Sequence, residues 1–389
     1  MPDLKPAIVF VGADASYMYS FRGPIIRHFV DAGYQVTIIA TVGDGFEQEQ
    51  YNLPEVELID WALSKSHIGI VPNLTGFIRL IALLRRLKPV IVFSHTIKSV
   101  IFASLAASLL RIPRIVAMIP GLGFSFGNNH DRRNTFIKLA AHAGYKLSLS
   151  RTNLIIFQNE DDRKLLIDSH ILDSEATTSI VNGSGVDVIR FKETSPPPGP
   201  LVYLMVARLI GQKGVREYIR AASIVKETIP DARFLLAGTA DSNPDSVPAA
   251  EIDACRKRGL IEVLGHIEDP APLYEQCHIF VLPTYYREGR PRVILEAMAS
   301  GRPTITTDWV GCRDCIQDGE TGILVEPRDS TSLANAMLTL GQSQNVRLQM
   351  GKAARRYCLE HFDVRKVSAE TAALIEGTTS SSTIQMAPF

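Results

Sequence analysis

The sequence predicts an α/β protein of two Rossmann-like domains, each a parallel sheet covered by helices, facing one another across a cleft. Three observations predict it. At 389 residues the chain is too long for one ordinary domain. Short apolar strands alternate with helical stretches through both halves, the rhythm of a parallel sheet covered on both faces. A stiff proline run, SPPPGP at 195–200, interrupts the alternation in the middle and reads as an interdomain linker.

In the first half, AIVFV (7–11) and QVTIIA (35–40) are strand-like, with a helix around FRGPIIRHFVDAG between them. VIVFSH (90–95) precedes a helix running to Leu110, and RIVAMI (114–119), LIIFQN (154–159) and TSIVNG (178–183) complete the series. The second half repeats it with strands at 201–207, 232–238, 261–266, 278–283, 302–307 and 322–327. The expected organisation is a first domain over 1–194, a linker at 195–200 and a second domain over 201–360. A C-terminal helix at 361–377, with either domain open to it and the first among them, and a disordered tail at 378–389 follow. In such folds ligands bind where strand ends point into the cleft.

Lys and Arg balance Asp and Glu at 41 each, so net charge selects no partner. The balance hides an asymmetry. From Trp61 to Asn159 thirteen Lys or Arg, among them Arg79, Arg85, Arg86, Lys88, Lys98, Arg132, Arg133 and Lys138, face one acid, Asp131, a net +12. Such a stretch attracts phosphates or an anionic membrane surface. Within it, residues 73–89 mix apolar residues and arginines, either as a membrane-surface helix or as a core helix with a solvated basic face. No nucleic-acid motif accompanies the charge, so nucleic acid is not the expected partner. No signal peptide is visible, and the longest apolar run, 100–110, is too short to span a bilayer. The five cysteines form no disulfide framework, and the C-x-x-C of Cys312 and Cys315 lacks a second pair at zinc spacing.

The motifs exclude as much as they suggest. GxGxxG is missing after the first strand, where only Gly12 is present, and the GxxxxGK[ST] phosphate loop is missing too. No Asp-x-Asp occurs and no metal site stands out, so a bound diphosphate would have to be neutralised by protein cations and helix ends. In VARLIGQKGVREYIRAA (206–222), Arg208 follows a strand and Lys213 sits in a glycine-flanked loop before a helix, a good anion cradle. In REGRPRVILEAMASGRP (287–303), Glu288 and Glu296 flank a helix start, with Pro291 expected at its first position. Taken alone, each of these segments also reads as an ordinary charged surface.

Their order along the chain resembles a family. The segments ARLIGQKGVREYIRAA, LGHIEDPAPLYEQCHIFVLPTYYREGRPRVILEAMASGRPTITTD and VGCRDCIQDGETGILVEP look like the donor-binding domain of retaining glycosyltransferases of family 4, which have the GT-B fold. SHTIKSVIFASLAA, IPGLGFSF, IIFQNEDD and VNGSGVDVIRF resemble the first domain of the same family, so the likeness covers most of the chain. It is strongest to bacterial enzymes that extend polyprenyl-diphosphate-linked saccharides, including N-acetylgalactosaminyltransferases.

The resemblance implies roles. Arg208 and Lys213 would clamp the donor diphosphate and stabilise the leaving group. Glu288 would contact the donor sugar and Glu296 the ribose hydroxyls, while Gly289 and the backbone of Arg290, Pro291, Arg292 and Val293 let sugar and phosphate approach. Tyr285 and Tyr286 would shape the sugar pocket. His95, at a strand end of the first domain, would face the reacting sugar. Gly12, Lys98, Gly121 and Gly123 would border the acceptor.

The expected activity is therefore retaining, α-forming transfer of a hexose or N-acetylhexosamine from a UDP-sugar, without metal or cofactor. The acceptor would be a polyprenyl-diphosphate-linked saccharide at the cytoplasmic face of the inner membrane. A UDP-sugar epimerase of the same fold and a non-catalytic nucleotide- or saccharide-binding protein are the alternatives. Acceptor dependence separates the first from a transferase; the set Arg208, Lys213, Glu288 and Glu296 argues against the second.

Overall fold

In the structure, a computed structural model, residues 5–61, 70–123, 142–240 and 243–377 are described. The expected tail at 378–389 and the basic residues Lys65, Arg132, Arg133 and Lys138 lie outside them.

The chain divides into two compact units. One comprises the residues up to Ser184 together with those from Arg365 onward, and the other is Gly185–Val364. The division at Ser184/Gly185 falls ahead of the proline run expected as the linker. Residues 185–196 belong to the second unit because its side chains hold them. Arg302 donates to the Thr194 carbonyl at 2.9 Å and to its hydroxyl at 2.6 Å, and Arg355 donates to the Val188 and Phe191 carbonyls. Phe191 is buried in that unit's core. Proline stiffness marks a chain that cannot continue an element, and here the residues just ahead of the stiff segment are tied to the second unit.

The first unit contains β1 (Ala7–Val11), α1 (Ala15–Asp31), β2 (Gln35–Ala40), β3 (Glu57–Asp60), α2 (Ile70–Leu87), β4 (Ile91–His95) and α3 (Ile97–Leu109). β5 (Arg114–Ile119), a helix at 142–149 (α4), β6 (Leu154–Phe157), α5 (Glu160–Asp168) and β7 (Thr178–Ile180) follow. All strands are parallel, in the order β3-β2-β1-β4-β5-β6-β7. The period-two alternation of β1 places Ile8 and Phe10 in one core cluster and Val9 and Val11 in another, so both faces are covered. α1 begins earlier than the sequence suggested, because the Asp14 carboxylate accepts from the Tyr17 N–H at 2.9 Å and caps it. β3, which the sequence reading left out, is a short half-exposed edge strand whose acidic ends obscure its pattern.

The second unit contains β8 (Val202–Val206), α6 (Val215–Thr228), β9 (Arg233–Ala237), α7 (Ala249–Lys257), β10 (Glu262–Gly265), α8 (Ala271–Glu275) and β11 (Ile279–Leu282). It continues with α9 (Arg292–Ala299), β12 (Thr304–Thr307), β13 (Gly322–Val325), α10 (Ser330–Gln342) and α11 (Gln344–His361). Its parallel sheet runs β10-β9-β8-β11-β12-β13. The last helix, α12 (Val364–Glu376), belongs with the first unit: Ala372 and Ile375 join its core, and Arg114 donates to the Leu374 and Ile375 carbonyls.

Both sheets change winding direction at one point, between β1 and β4 and between β8 and β11. There the neighbouring crossovers leave in opposite directions, and in open α/β sheets ligands bind beyond the carboxyl ends of the strands at such a point.

Candidate active site

In the second unit the loops after β8 and β11 meet at that switch point. β8 leads to Arg208, which is exposed, then to a 3₁₀ turn, Gly211–Lys213, and to Gly214, the N-cap of α6. Gly214 has φ +79°, and a Cβ on it would lie 2.1 Å from the Pro283 carbonyl oxygen, so only glycine allows the turn to press against the end of β11. The Gln212 carbonyl accepts from the Tyr285 N–H at 2.8 Å and the Thr284 hydroxyl at 3.1 Å. On its other side, the Gln212 N–H donates to the Asp245 carboxylate at 2.7 Å.

This stitching brings three of the expected residues together. Lys213 Nζ lies 2.5 Å from Glu288 Oε1, both side chains largely buried. The Tyr286 ring lies 5.5 Å from the Arg208 guanidinium carbon and 5.6 Å from Lys213 Nζ. One aromatic ring thus lies against both cations.

The Glu288 segment is fixed from beneath. Gly311 has φ +78°, and a Cβ there would come within 1.9 Å of the Gly289 carbonyl oxygen and 2.4 Å of that of Glu288. Arg290 donates to the Asp314 carbonyl at 2.6 Å. Pro291 is the N-cap of α9, with extended φ −62° and ψ 113°, and not its first helical residue; Arg292 opens the helix. The shift by one follows from ψ, which for Pro291 is not helical. A proline cap supplies no side-chain acceptor, so the first N–H groups of α9, at Arg292 and Val293, have no side-chain cap.

Glu296 is held by other partners. It is 5% exposed, accepts from the Tyr274 hydroxyl at 2.9 Å, and its Oε1 lies 3.2 Å from Arg292 Nε. Burial raises its pKa above the ordinary glutamate value, against the pull of Arg292 and the Tyr274 hydrogen bond.

In the first unit the expected residues follow adjacent strands. Gly12 follows β1, His95 ends β4, Lys98 lies in the first turn of α3, and Gly121 and Gly123 follow β5, with the fully buried Leu122 between them. His95 was expected to face the reacting sugar. It stands at the strand end, but it has no exposed surface. The Arg22 guanidinium of α1 lies 2.8 Å from its Nε2, and the Tyr17 ring stacks on it at 5.1 Å. Burial and the Arg22 charge both push the His95 pKa well below its usual value. Thr96, the next residue, has φ +76° and ψ 158°, a conformation that costs a non-glycine residue about 1–3 kcal/mol.

Arg22, Gly311 and Asp245 were not read from the sequence as site residues, and Tyr286, expected to shape the sugar pocket, lies against the two cations. Each of the first three is distant along the chain from what it holds or is a type with many other uses. Cys312 and Cys315 are both buried, and burial pushes the Cys312 thiol up to about 12. Among the described residues no group of three His, Cys, Asp or Glu is placed to hold a metal, and no helix is long and apolar enough to cross a membrane.

Two family descriptions match the chain, glycosyl transferase 4-like over residues 7–159 and glycosyl transferases group 1 over residues 200–343. The chain is 27% identical to the N,N'-diacetylbacillosaminyl-diphospho-undecaprenol alpha-1,3-N-acetylgalactosaminyltransferase of Campylobacter jejuni, over 91% of this chain and 94% of that protein. It is also 27% identical to the UDP-Gal:alpha-D-GlcNAc-diphosphoundecaprenol alpha-1,3-galactosyltransferase of Escherichia coli, over 77% and 78% of the two. Among solved structures, Anabaena HepE in complex with UDP superposes with a TM-score of 0.78 at 19% identity, covering 96% of this chain and 100% of that one. The sucrose-phosphate synthase of Thermosynechococcus elongatus gives 0.77 at 17%, covering 96% and 99%.

The two parallel-sheet units share the GT-B fold of those solved structures, and the two family matches make the chain a glycosyltransferase. The chain belongs to the group 1 and 4-like glycosyltransferases, its first half matching the 4-like description and its second half group 1.

Proposed function

We propose that this glycosyltransferase moves a hexose or N-acetylhexosamine, with retention, from a UDP-sugar to a polyprenyl-diphosphate-linked saccharide. The observation that carries the reading is the cluster of Arg208, Lys213 and Glu288 around Tyr286 at the switch point of the second sheet. Two cations and the uncapped N-terminus of α9 suit a diphosphate, and a carboxylate beside them suits sugar hydroxyls. The names of the Campylobacter and Escherichia relatives, both alpha-1,3-transferases acting on undecaprenyl-diphosphate saccharides, support the acceptor and the stereochemistry.

In this reading the sugar–phosphate bond breaks with its electron pair leaving on UDP. Arg208 and Lys213 stabilise the departing charge, so no metal ion is required. The acceptor hydroxyl attacks from the same face, forms the new bond to the anomeric carbon, and gives its proton to a leaving-phosphate oxygen. Glu288 holds the sugar, Glu296 the ribose, and the backbone from Gly289 to Val293 approaches the phosphates. Gly12, Lys98, Gly121 and Gly123 border the acceptor.

The enzyme works at the cytoplasmic face of the membrane, held peripherally through anionic lipid. Support comes from α2, where Leu74 and Ile78 are exposed one turn apart beside exposed Arg79, Arg85 and Arg86. Binding to anionic liposomes should weaken as salt rises; indifference to lipid charge rules this face out.

The deciding experiment measures UDP release from a panel of UDP-sugars, with and without a polyprenyl-diphosphate-linked saccharide, in chelator, with Glu288→Ala in parallel. Acceptor-dependent release with one donor, lost in the variant, is expected. Release without acceptor, or release that needs a divalent ion, contradicts the proposal.

A further inference from the structure

The Arg22–His95 pair has a chemical consequence for the first unit. A guanidinium has five N–H donors and no acceptor, whatever its environment. Arg22 Nη2 lies 2.8 Å from His95 Nε2, inside the core, with both residues at 0% exposure. Only a lone pair on Nε2 makes that contact a hydrogen bond; an N–H there would set donor against donor. The imidazole proton must then sit on Nδ1.

Arg22 is itself held in place, since its Nη1 donates to the Ser184 hydroxyl at 3.1 Å. The Tyr17 ring fixes the imidazole plane from one side. His95 Nδ1, by contrast, is buried and has no hydrogen-bond partner among the described residues. An unsatisfied buried donor costs about 1–3 kcal/mol, and such groups in native proteins call for an explanation.

We propose that Arg22 is a positioning residue for the transferase reaction, locking His95 as a neutral imidazole whose one proton, on Nδ1, is kept for an oxygen of the bound substrates. His95 is then a fixed hydrogen-bond donor and not a proton acceptor. The proposal rests on the transferase reading for its substrate, but the state of the imidazole does not depend on that reading. Burial and the Arg22 charge also disfavour the imidazolium. Near the ring, Arg22 on α1 is the charge that acts on it, Tyr17 on α1 stacks on it, and Lys98 on α3 is half-buried three residues along.

The test is the tautomer, read by long-range ¹H–¹⁵N correlation on the full chain labelled with [¹⁵N]histidine, with the His95 signals identified through His95→Gln. The wild type is expected to show protonated Nδ1 and bare Nε2, unchanged from pH 5.5 to 8. A proton on Nε2, or an imidazolium at neutral pH, overturns the proposal without reference to any substrate. Arg22→Lys keeps a donor-only partner and should keep both the tautomer and most of the turnover. Arg22→Met should release Nε2, mix the tautomers, and lower kcat by about 10²-fold, the loss typical of one preorganised donor, with little change in UDP affinity. If Arg22→Met keeps the wild-type tautomer, or if Arg22→Lys and Arg22→Met lose turnover equally while both keep it, Arg22 is structural only. Should the transferase reading fail, the wild-type tautomer measurement still decides the assignment.

Discussion

Lys213 and Glu288 form an ion pair, 2.5 Å from Nζ to Oε1, and the proposed function puts the donor diphosphate at the same ammonium. The two groups therefore serve each other until a phosphate competes for the ammonium. Their variants should behave differently. Lys213→Met should weaken UDP binding by about 10–100-fold, the worth of a hydrogen bond to a charged group. Glu288→Gln should leave UDP binding equal or tighter, because Lys213 is released, while kcat drops about 10²-fold for want of the sugar contact. Calorimetry with UDP beside steady-state kinetics checks both. Equal losses of UDP affinity in the two variants would mean that the carboxylate organises the phosphate site itself.

Tyr286 supports Arg208 and Lys213 through its ring face, at 5.5 and 5.6 Å. A cation–π contact is worth about 0.5–2 kcal/mol and needs the ring but not the hydroxyl. Tyr286→Phe should retain UDP affinity, and Tyr286→Leu should lose about 3–30-fold in the same titration. If Phe fails as badly as Leu, the hydroxyl and not the ring is the contributing group.

Glu296 predicts a pH effect. Burial raises its pKa, so the folded state holds the proton more tightly than the unfolded chain. The sign follows from linkage. The contribution of this group to stability is complete below the ordinary glutamate value and is lost as pH rises through the folded value. At neutral pH the buried carboxylate is thus a cost that an amide avoids, and the Tyr274 hydroxyl can turn its proton to the Val293 carbonyl, 3.2 Å away, and accept from that amide. Glu296→Gln should melt at or above the wild-type temperature at pH 7, with the difference narrowing at pH 4. Its kcat/KM should fall about 10–100-fold if the carboxylate accepts from the ribose. A variant less stable at pH 7 than at pH 4, relative to wild type, would contradict this.

The placement of Arg208, Lys213 and Glu288 just beyond strand ends was legible in the sequence, because the apolar runs of those strands stand out and in a doubly wound sheet ligands bind beyond such ends. That the three act together was what the resemblance implied, since each segment alone also reads as charged surface. What was not legible depends on packing across sequence distance. Arg22 meets His95 over 73 residues, and nothing in FRGPIIRHFV distinguishes an arginine that is buried from one that is solvated. The linker at 195–200 was misplaced because proline content reports stiffness and not detachment, and Arg302 and Arg355, which tie down the preceding residues, come from far along the chain. Pro291 was placed one position late in its helix, since the first helical position and the cap differ only in ψ.

Gly311 gives the sharpest test of how the Glu288 segment is built. Its φ of +78° is strained for any other residue, and its missing side chain is where the Glu288 and Gly289 carbonyls lie. Gly311→Ala adds one methyl group, 1.9 Å from one of those oxygens, so the segment must lift or Gly311 must move. Both contacts are to backbone, which cannot swing away as a side-chain end could. Strain at φ and the lost fit together should cost about 1–3 kcal/mol of stability. The displaced Glu288 should cost more in function than in folding, since a shift of about 1 Å at a positioning group can cost 10²-fold in rate. As a control, Gly319→Ala also has positive φ, +77°, but its Cβ meets nothing within 4 Å. Gly319→Ala should therefore show the strain cost with near-normal kcat. If the two variants lose the same turnover at equal loss of stability, the close approach at Gly311 is not what holds Glu288 in place.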